Sequence, residues 1–211
     1  MRVPATRTLE NALRRVGFCH VAGVDEVGRG CLAGPVVAAA VVLDPCRHIP
    51  GVCDSKAVTA AGRERLYDRI LRDAVTWAVG SADPGEIDRI NIHQASLTAM
   101  RRAVLALVPL PDIVLVDAFQ IAGLPMAQRG VLHGDRRCSA VAAASIIAKV
   151  TRDREMHDLH ERDPRYGFDR HKGYATADHL DAVSRFGYSQ MHRRSFRPPT
   201  LFDTMAPEPG A

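Results

Sequence analysis

The chain has 211 residues, 46% of them hydrophobic and 25% charged, with a formal net charge of +4 at pH 7. That length suits one buried core with an appendage, and the composition excludes collagen-like, low-complexity and heptad-built chains. The most apolar run, Val36 to Leu43, is too short to cross a membrane, and five cysteines without a Cys-x-x-Cys spacing suggest neither a disulfide framework nor a zinc site.

Arg2, Arg7, Glu10, Arg14 and Arg15 leave no room for an apolar export segment, so a reducing cytoplasm is the expected location. The stretch up to about Thr8 has little to pack and is expected to lack fixed structure. His20 to Val24 and Pro35 to Leu43 are predicted as buried strands on either side of a Gly28-Arg29-Gly30 turn. Thr59 to Ala74 has helical spacing, and Trp77 to Gly80 reads as a further strand. Asn91 to Leu107 predicts a helix, Ile113 to Val116 a strand, and Cys138 to His160 a second long helix. Thr176 can cap a shorter helix reaching about Phe186. Strands followed by mixed elements predict an α/β sheet domain over residues 1–162. Residues 163–197 are expected to form a helical, substrate-binding appendage, and the proline-rich residues 198–211 a flexible tail.

The charge is unevenly placed. Residues 1–128 carry 14 basic and 13 acidic side chains, whereas residues 129–194 carry 13 and 9. A regional basic excess can neutralise phosphates and release counterions, although an ordinary solvated surface looks the same by composition.

Three apolar elements deliver acids at or near their ends. Asp25 and Glu26 follow Val21-Ala22-Gly23-Val24, Asp117 follows Ile113-Val114-Leu115-Val116, and Asp153 follows the run from Val141 to Val150. Any one of them alone is most simply a cap, a turn residue or an ion-pair partner. Together they would repel, by roughly 4 kcal/mol for two carboxylates at about 4 Å and an effective dielectric near 20. A positive partner is needed, and oxygen-only ligands favour Mg²⁺ or Mn²⁺, in a two-metal site suited to phosphoryl displacement. Ser145, Lys149 and Asp153, at i, i+4 and i+8, put a hydroxyl, an ammonium and a carboxylate on one helical stripe, with Lys149 expected beside the acids. The glycines around Arg29 allow backbone to approach a ligand, and His171-Lys172-Gly173-Tyr174 offers an aromatic ring suited to stacking. Tight turns and buried tyrosines have the same sequence appearance.

In order along the chain, Val24-Asp25-Glu26-Val27-Gly28-Arg29-Gly30, Leu32-Ala33-Gly34-Pro35-Val36-Val37, Asp54-Ser55-Lys56, Leu115-Val116-Asp117 and Gly134-Asp135 resemble the ribonuclease HII family. The run from Ala142 to Asp153, then Lys172-Gly173-Tyr174 and His192-Arg193-Arg194-Ser195-Phe196, extend the resemblance. It implies a ribonuclease H-like mixed sheet flanked by helices, and metal-binding catalytic carboxylates at Asp25, Glu26, Asp117 and Asp153. It also implies substrate binding by Gly28, Arg29, Gly30, Lys56, Ser145, Lys149 and Tyr174, with the turn reading the 2′-hydroxyl and the tyrosine packing on the junction sugar. The implied substrates are RNA/DNA hybrids and DNA containing single ribonucleotides. A monomer that works without a membrane is expected, and a clamp-type protein partner is left open. Ala175, Ala118 and Ala57-Val58 depart from the family's usual residues, and Ala175 bears on the geometry of the tyrosine loop. Two rivals are a nuclease or nucleotidyl-transfer enzyme of the same fold acting elsewhere, and a non-catalytic binding module. Four acids that repel phosphate do not serve the second.

Overall fold

The computed structural model describes residues 5–117 and 119–196. Its helices are α1 (Thr8–Arg15), α2 (Ala60–Asp73), α3 (Pro84–Leu105), α4 (Gly134–Arg137), α5 (Ser139–Arg162), α6 (Phe168–His171) and α7 (Ala177–Phe186). Its strands are β1 (Val21–Val27), β2 (Val36–Leu43), β3 (Ala74–Ala82), β4 (Ile113–Asp117) and β5 (Ala127–Val131). They form one mixed sheet in the order β3-β2-β1-β4-β5. β1, β2 and β3 pair antiparallel, while β4 lies parallel to β1 and β5 parallel to β4. The expected α/β class, a mixed sheet flanked by helices, is what the chain builds.

β2 is buried along its whole length because helices cover both faces of the sheet. Ala38, Ala40 and Val42 face Ala95, Ala99 and Ala103 of α3. Ala39, Val41 and Leu43 face the other way, towards Ile146 and Ile147 of α5 and Ile70 of α2. Alanine on both partners brings the backbones close, and at Gly23 a Cβ would stand only 2.2 Å from the Ala140 backbone. Helix α5 is therefore laid directly across β1, which brings Ser145 to Asp25 two residues further along the strand.

Several details differ from the sequence reading. Residues 5–8 are fastened, not loose: Ala5 donates its N–H to the Val52 carbonyl at 3.1 Å, and Arg7 reaches the Asp44 and Arg47 carbonyls at 2.7 and 2.6 Å. α1 was not expected, and it is anchored by the buried Glu10, which accepts the Ala140 N–H at 2.9 Å. β1 continues to Val27, so Asp25 and Glu26 lie within the strand. α3 begins at Pro84 behind an Asp83/Glu86 capping box and breaks at Asn91, whose side chain caps the second half. β5 and α4 were also unanticipated. The proposed tail at 198–211 and the departure at Ala118 lie outside the described residues. Beyond α5, Tyr166, Phe168, Ala182 and Val183 pack with Met156 and Ala33.

Candidate active site

β1 and β4 are parallel neighbours with Val24 opposite Val116, so Asp25 and Asp117 leave the sheet at the same end. There a cavity of about 340 Å³ is lined by five carboxylates, Asp25, Glu26, Asp54, Asp117 and Asp135. Val27, Ser55, Lys56, Ser145, Lys149 and Tyr174 complete its wall. Burial, reinforced by Glu26 and Asp117, holds the Asp25 carboxyl well above the ordinary range, against hydrogen bonds from Ser145 and the Glu26 N–H. Glu26 is raised by burial, with Asp117 adding to it and Arg29, 3.2 Å away, opposing. Burial, then Asp54 and Asp117, raises Asp135. Asp117 accepts the Gly134 N–H at 3.0 Å, which ties the end of β4 to the start of α4. Asp25, Glu26 and Asp135 thus resist ionising, the electrostatic condition that an added cation relieves. Among the described residues, no three His, Cys, Asp or Glu side chains are grouped to hold a metal ion as they stand.

Asp153 is not part of that cavity wall. Lys149 Nζ approaches its Oδ1 at 2.6 Å and Arg63 Nη2 its Oδ2 at 3.8 Å, in a neighbouring groove that also includes Lys172. The stripe of Ser145, Lys149 and Asp153 exists, but eight residues of helix span about 12 Å, so its two ends serve different places. Asp135 occupies the cavity where Asp153 was expected. Its Gly134-Asp135 pair was visible in the sequence, but no apolar strand marked it as a site residue. Asp54 was likewise overlooked as a lining acid; its side chain caps the Lys56 N–H at 3.0 Å and meets Arg136 at 3.5 Å.

A ribonuclease HII family model matches residues 22–198. The chain belongs to the ribonuclease HII family. A ribonuclease HII of Desulfitobacterium hafniense is 47% identical over 197 residues, covering 93% of this chain and 76% of the relative. One from Polynucleobacter necessarius is 52% identical over 182 residues, 84% of this chain and 92% of the relative. The ribonuclease HII of Archaeoglobus fulgidus, solved as a complex with PCNA, has a TM-score of 0.70 at 28% identity, covering 87% of this chain and 99% of that one. The fold is thus ribonuclease H-like, and family membership makes the chain a ribonuclease H-type hydrolase.

Around this ribonuclease HII cavity, the turn and the tyrosine loop are held by two fully buried arginines. Arg193 donates to the carbonyls of Gly28, Arg29 and Gly34 at 2.6, 2.9 and 3.0 Å. Arg152 donates to those of Pro35, Lys172 and Ala33 at 2.9, 2.9 and 3.1 Å. Gly28 is required by the fold, since its φ is +93° and a Cβ would lie 2.2 Å from Arg152 Nε. Gly30 is not, because a Cβ there would meet nothing within 4 Å. Gly173 lets the loop press on Ala33, whose carbonyl oxygen would be 2.4 Å from an added Cβ. Ala175 is not among the positive-φ residues, so its Cβ adds no backbone strain. His179 Nδ1 lies 2.9 Å from the Tyr174 carbonyl and its Nε2 3.0 Å from His192 Nε2, while His192 Nδ1 accepts from Ser189 N–H at 3.0 Å. One tautomer set satisfies this run: Ser189 donates to His192, His192 to His179, and His179 to Tyr174. The loop's backbone is thus fixed, while Tyr174 remains 41% exposed and lines the cavity.

Proposed function

We propose that the chain is a divalent-metal-dependent endonuclease that hydrolyses the phosphodiester beside ribonucleotides, in RNA/DNA hybrids or singly embedded in duplex DNA. It leaves 3′-hydroxyl and 5′-phosphate ends and serves ribonucleotide removal from DNA in the cytoplasm. The observation carrying this reading is the buried Asp25 among mutually repelling carboxylates, in a cavity that also takes the Tyr174 side chain. The donor chemistry fits Mg²⁺ or Mn²⁺. Asp25, Glu26 and Asp117 would hold it, with Asp135 as fourth carboxylate in place of Asp153. When bound, a metal pair supplies an activated water and neutralises charge on the leaving oxygen.

The protein's own groups do the rest. Lys56 and Lys149 bring positive charge to the cavity for the phosphate, and Ser145 orients Asp25. Gly28, Arg29 and Gly30 present backbone to the 2′-hydroxyl, and Tyr174, supplied by the appendage at residues 163–197, packs on the junction sugar. In this reading the chain acts as a monomer with a clamp-type protein partner, supported by the Archaeoglobus ribonuclease HII having been solved as a complex with PCNA. The test is cleavage of a labelled duplex carrying one ribonucleotide, with Mg²⁺, Mn²⁺ or excess chelator. Metal-dependent nicking beside the ribonucleotide, with no cut in all-DNA duplex, is expected. Cyclic phosphate ends or full activity in chelator would overturn it.

A further inference from the structure

Beyond α4 from the carboxylates lies a second cavity, of about 730 Å³, lined by Arg129 of β5 and Arg136 and Arg137 of α4. Thr6, Thr8 and Leu132 are also on its wall, and no acid is. The nearest acid in α1, Glu10, is only 1% exposed and uses one oxygen on the Ala140 N–H. Among the described residues, the side chains of Arg129 and Arg137 form no ion pair or hydrogen bond, and Arg136 has only the 3.5 Å approach to Asp54. Arg129 and Arg137 therefore share a concavity without carboxylates, next to Arg136 with its Asp54 contact, an arrangement that like-charge repulsion disfavours until an anion enters.

The position identifies that anion. Asp135 lines the carboxylate cavity, and the next two residues line this one. α4 has four residues, about 6 Å of helix, while a nucleic-acid strand carries a phosphate per roughly 3.4 Å of axis. We infer that the arginine cavity is a subsite for the sugar-phosphate backbone of the duplex flanking the cleaved residue, an inference that rests on the proposed function. Arginine suits it because its planar fork binds phosphate oxygens in pairs. The subsite also offsets the repulsion that the neighbouring carboxylates exert on a polyanion.

The experiment uses the full chain and the double variant Arg129→Gln/Arg137→Gln, leaving Arg136 and its Asp54 contact in place. Binding of ribonucleotide-free duplex is followed by anisotropy against salt, and kcat and KM are measured on single-ribonucleotide duplexes with long or trimmed flanks. The slope of log affinity against log salt is expected to become shallower by about 0.9 per lost phosphate contact, nearly 2 for the pair. KM should rise roughly tenfold on long flanks and change little on trimmed ones, with kcat unaltered. An unchanged salt slope and KM, in a chain that still cuts at the ribonucleotide, overturns the subsite alone. A fall in kcat on both substrates also overturns it, since that marks disturbance of the chemistry. A parent chain that cuts neither substrate overturns the proposed function, and this subsite with it.

Discussion

Lys149 Nζ lies 2.6 Å from Asp153 Oδ1, one turn along α5. With Arg63 on the other oxygen, the Asp153 charge is already balanced by protein cations, whereas Asp135 faces Asp54 and Asp117. Asp135→Asn should therefore lower kcat roughly 100-fold or more, about 2.7 kcal/mol of transition-state stabilisation, as should Asp25→Asn, Glu26→Gln and Asp117→Asn. Asp153→Asn should cost less than about tenfold, through a released Lys149. Mn²⁺ titration followed by thermal shift gives a second reading, with metal-induced stabilisation lost in Asp135→Asn and kept in Asp153→Asn. The reverse ranking in both measurements would return Asp153 to the metal site.

The buried arginines make a stability prediction. Arg193→Met leaves three carbonyls without their donor, at about 1–3 kcal/mol for each that stays dry. Arg193→Lys keeps charge but lacks the fork, so it should recover only part. Urea unfolding midpoints should fall in the order parent, Arg193→Lys, Arg193→Met. An Arg193→Lys midpoint equal to the parent's would show that charge, not the forked geometry, holds the turn.

Much of this was legible because β1, β2, β4 and the first half of α5 are apolar runs, and the acids in or after β1, β4 and α5's run stand out. α1 was hidden because it buries only Leu13 and an acid, Glu10. β5 was hidden because four of its five residues are at least partly exposed at the sheet edge. The same reasoning over-read Asp153, which ends an apolar run but points along a helix rather than out of the sheet, and passed over Asp135. Arg152 and Arg193 could not be foreseen as buried, since arginine by type belongs to surfaces. Only the convergence of six carbonyls explains them.

Acid should loosen the tyrosine loop. Burial lowers His179 and His192 from 6.5 to about 4 each, so the folded state favours their neutral forms. The unfolded chain binds more protons between those values. Their contribution is therefore fully present above pH 6.5 and lost progressively as pH falls towards 4. His179→Gln should flatten this part of the stability-against-pH curve, measured by urea unfolding from pH 7 to 4. A curve parallel to the parent's would remove the histidine pair as its source.

Selectivity for the ribonucleotide should be separable from both metal binding and folding, and Gly30 gives the cleanest way to see it. A Cβ at Gly30 meets no protein atom within 4 Å, so Gly30→Ala should leave the unfolding midpoint and the Mn²⁺ response close to the parent's. The 2′-hydroxyl is the only group that marks one ribonucleotide within DNA, and a backbone that reads it must approach closely. The added methyl should then act only when substrate arrives, raising KM or lowering kcat/KM by roughly tenfold or more on a single-ribonucleotide duplex. Gly28→Ala should fail differently, by displacing Arg152 and lowering stability. Tyr174→Ala should lose more than Tyr174→Phe if the ring's packing on the sugar matters more than its hydroxyl. Cleavage of the single-ribonucleotide duplex, with all-DNA duplex as control, decides the matter. If Gly30→Ala and Tyr174→Ala both cut it like the parent, the turn and the tyrosine do not read the junction, even where the carboxylate assignments hold.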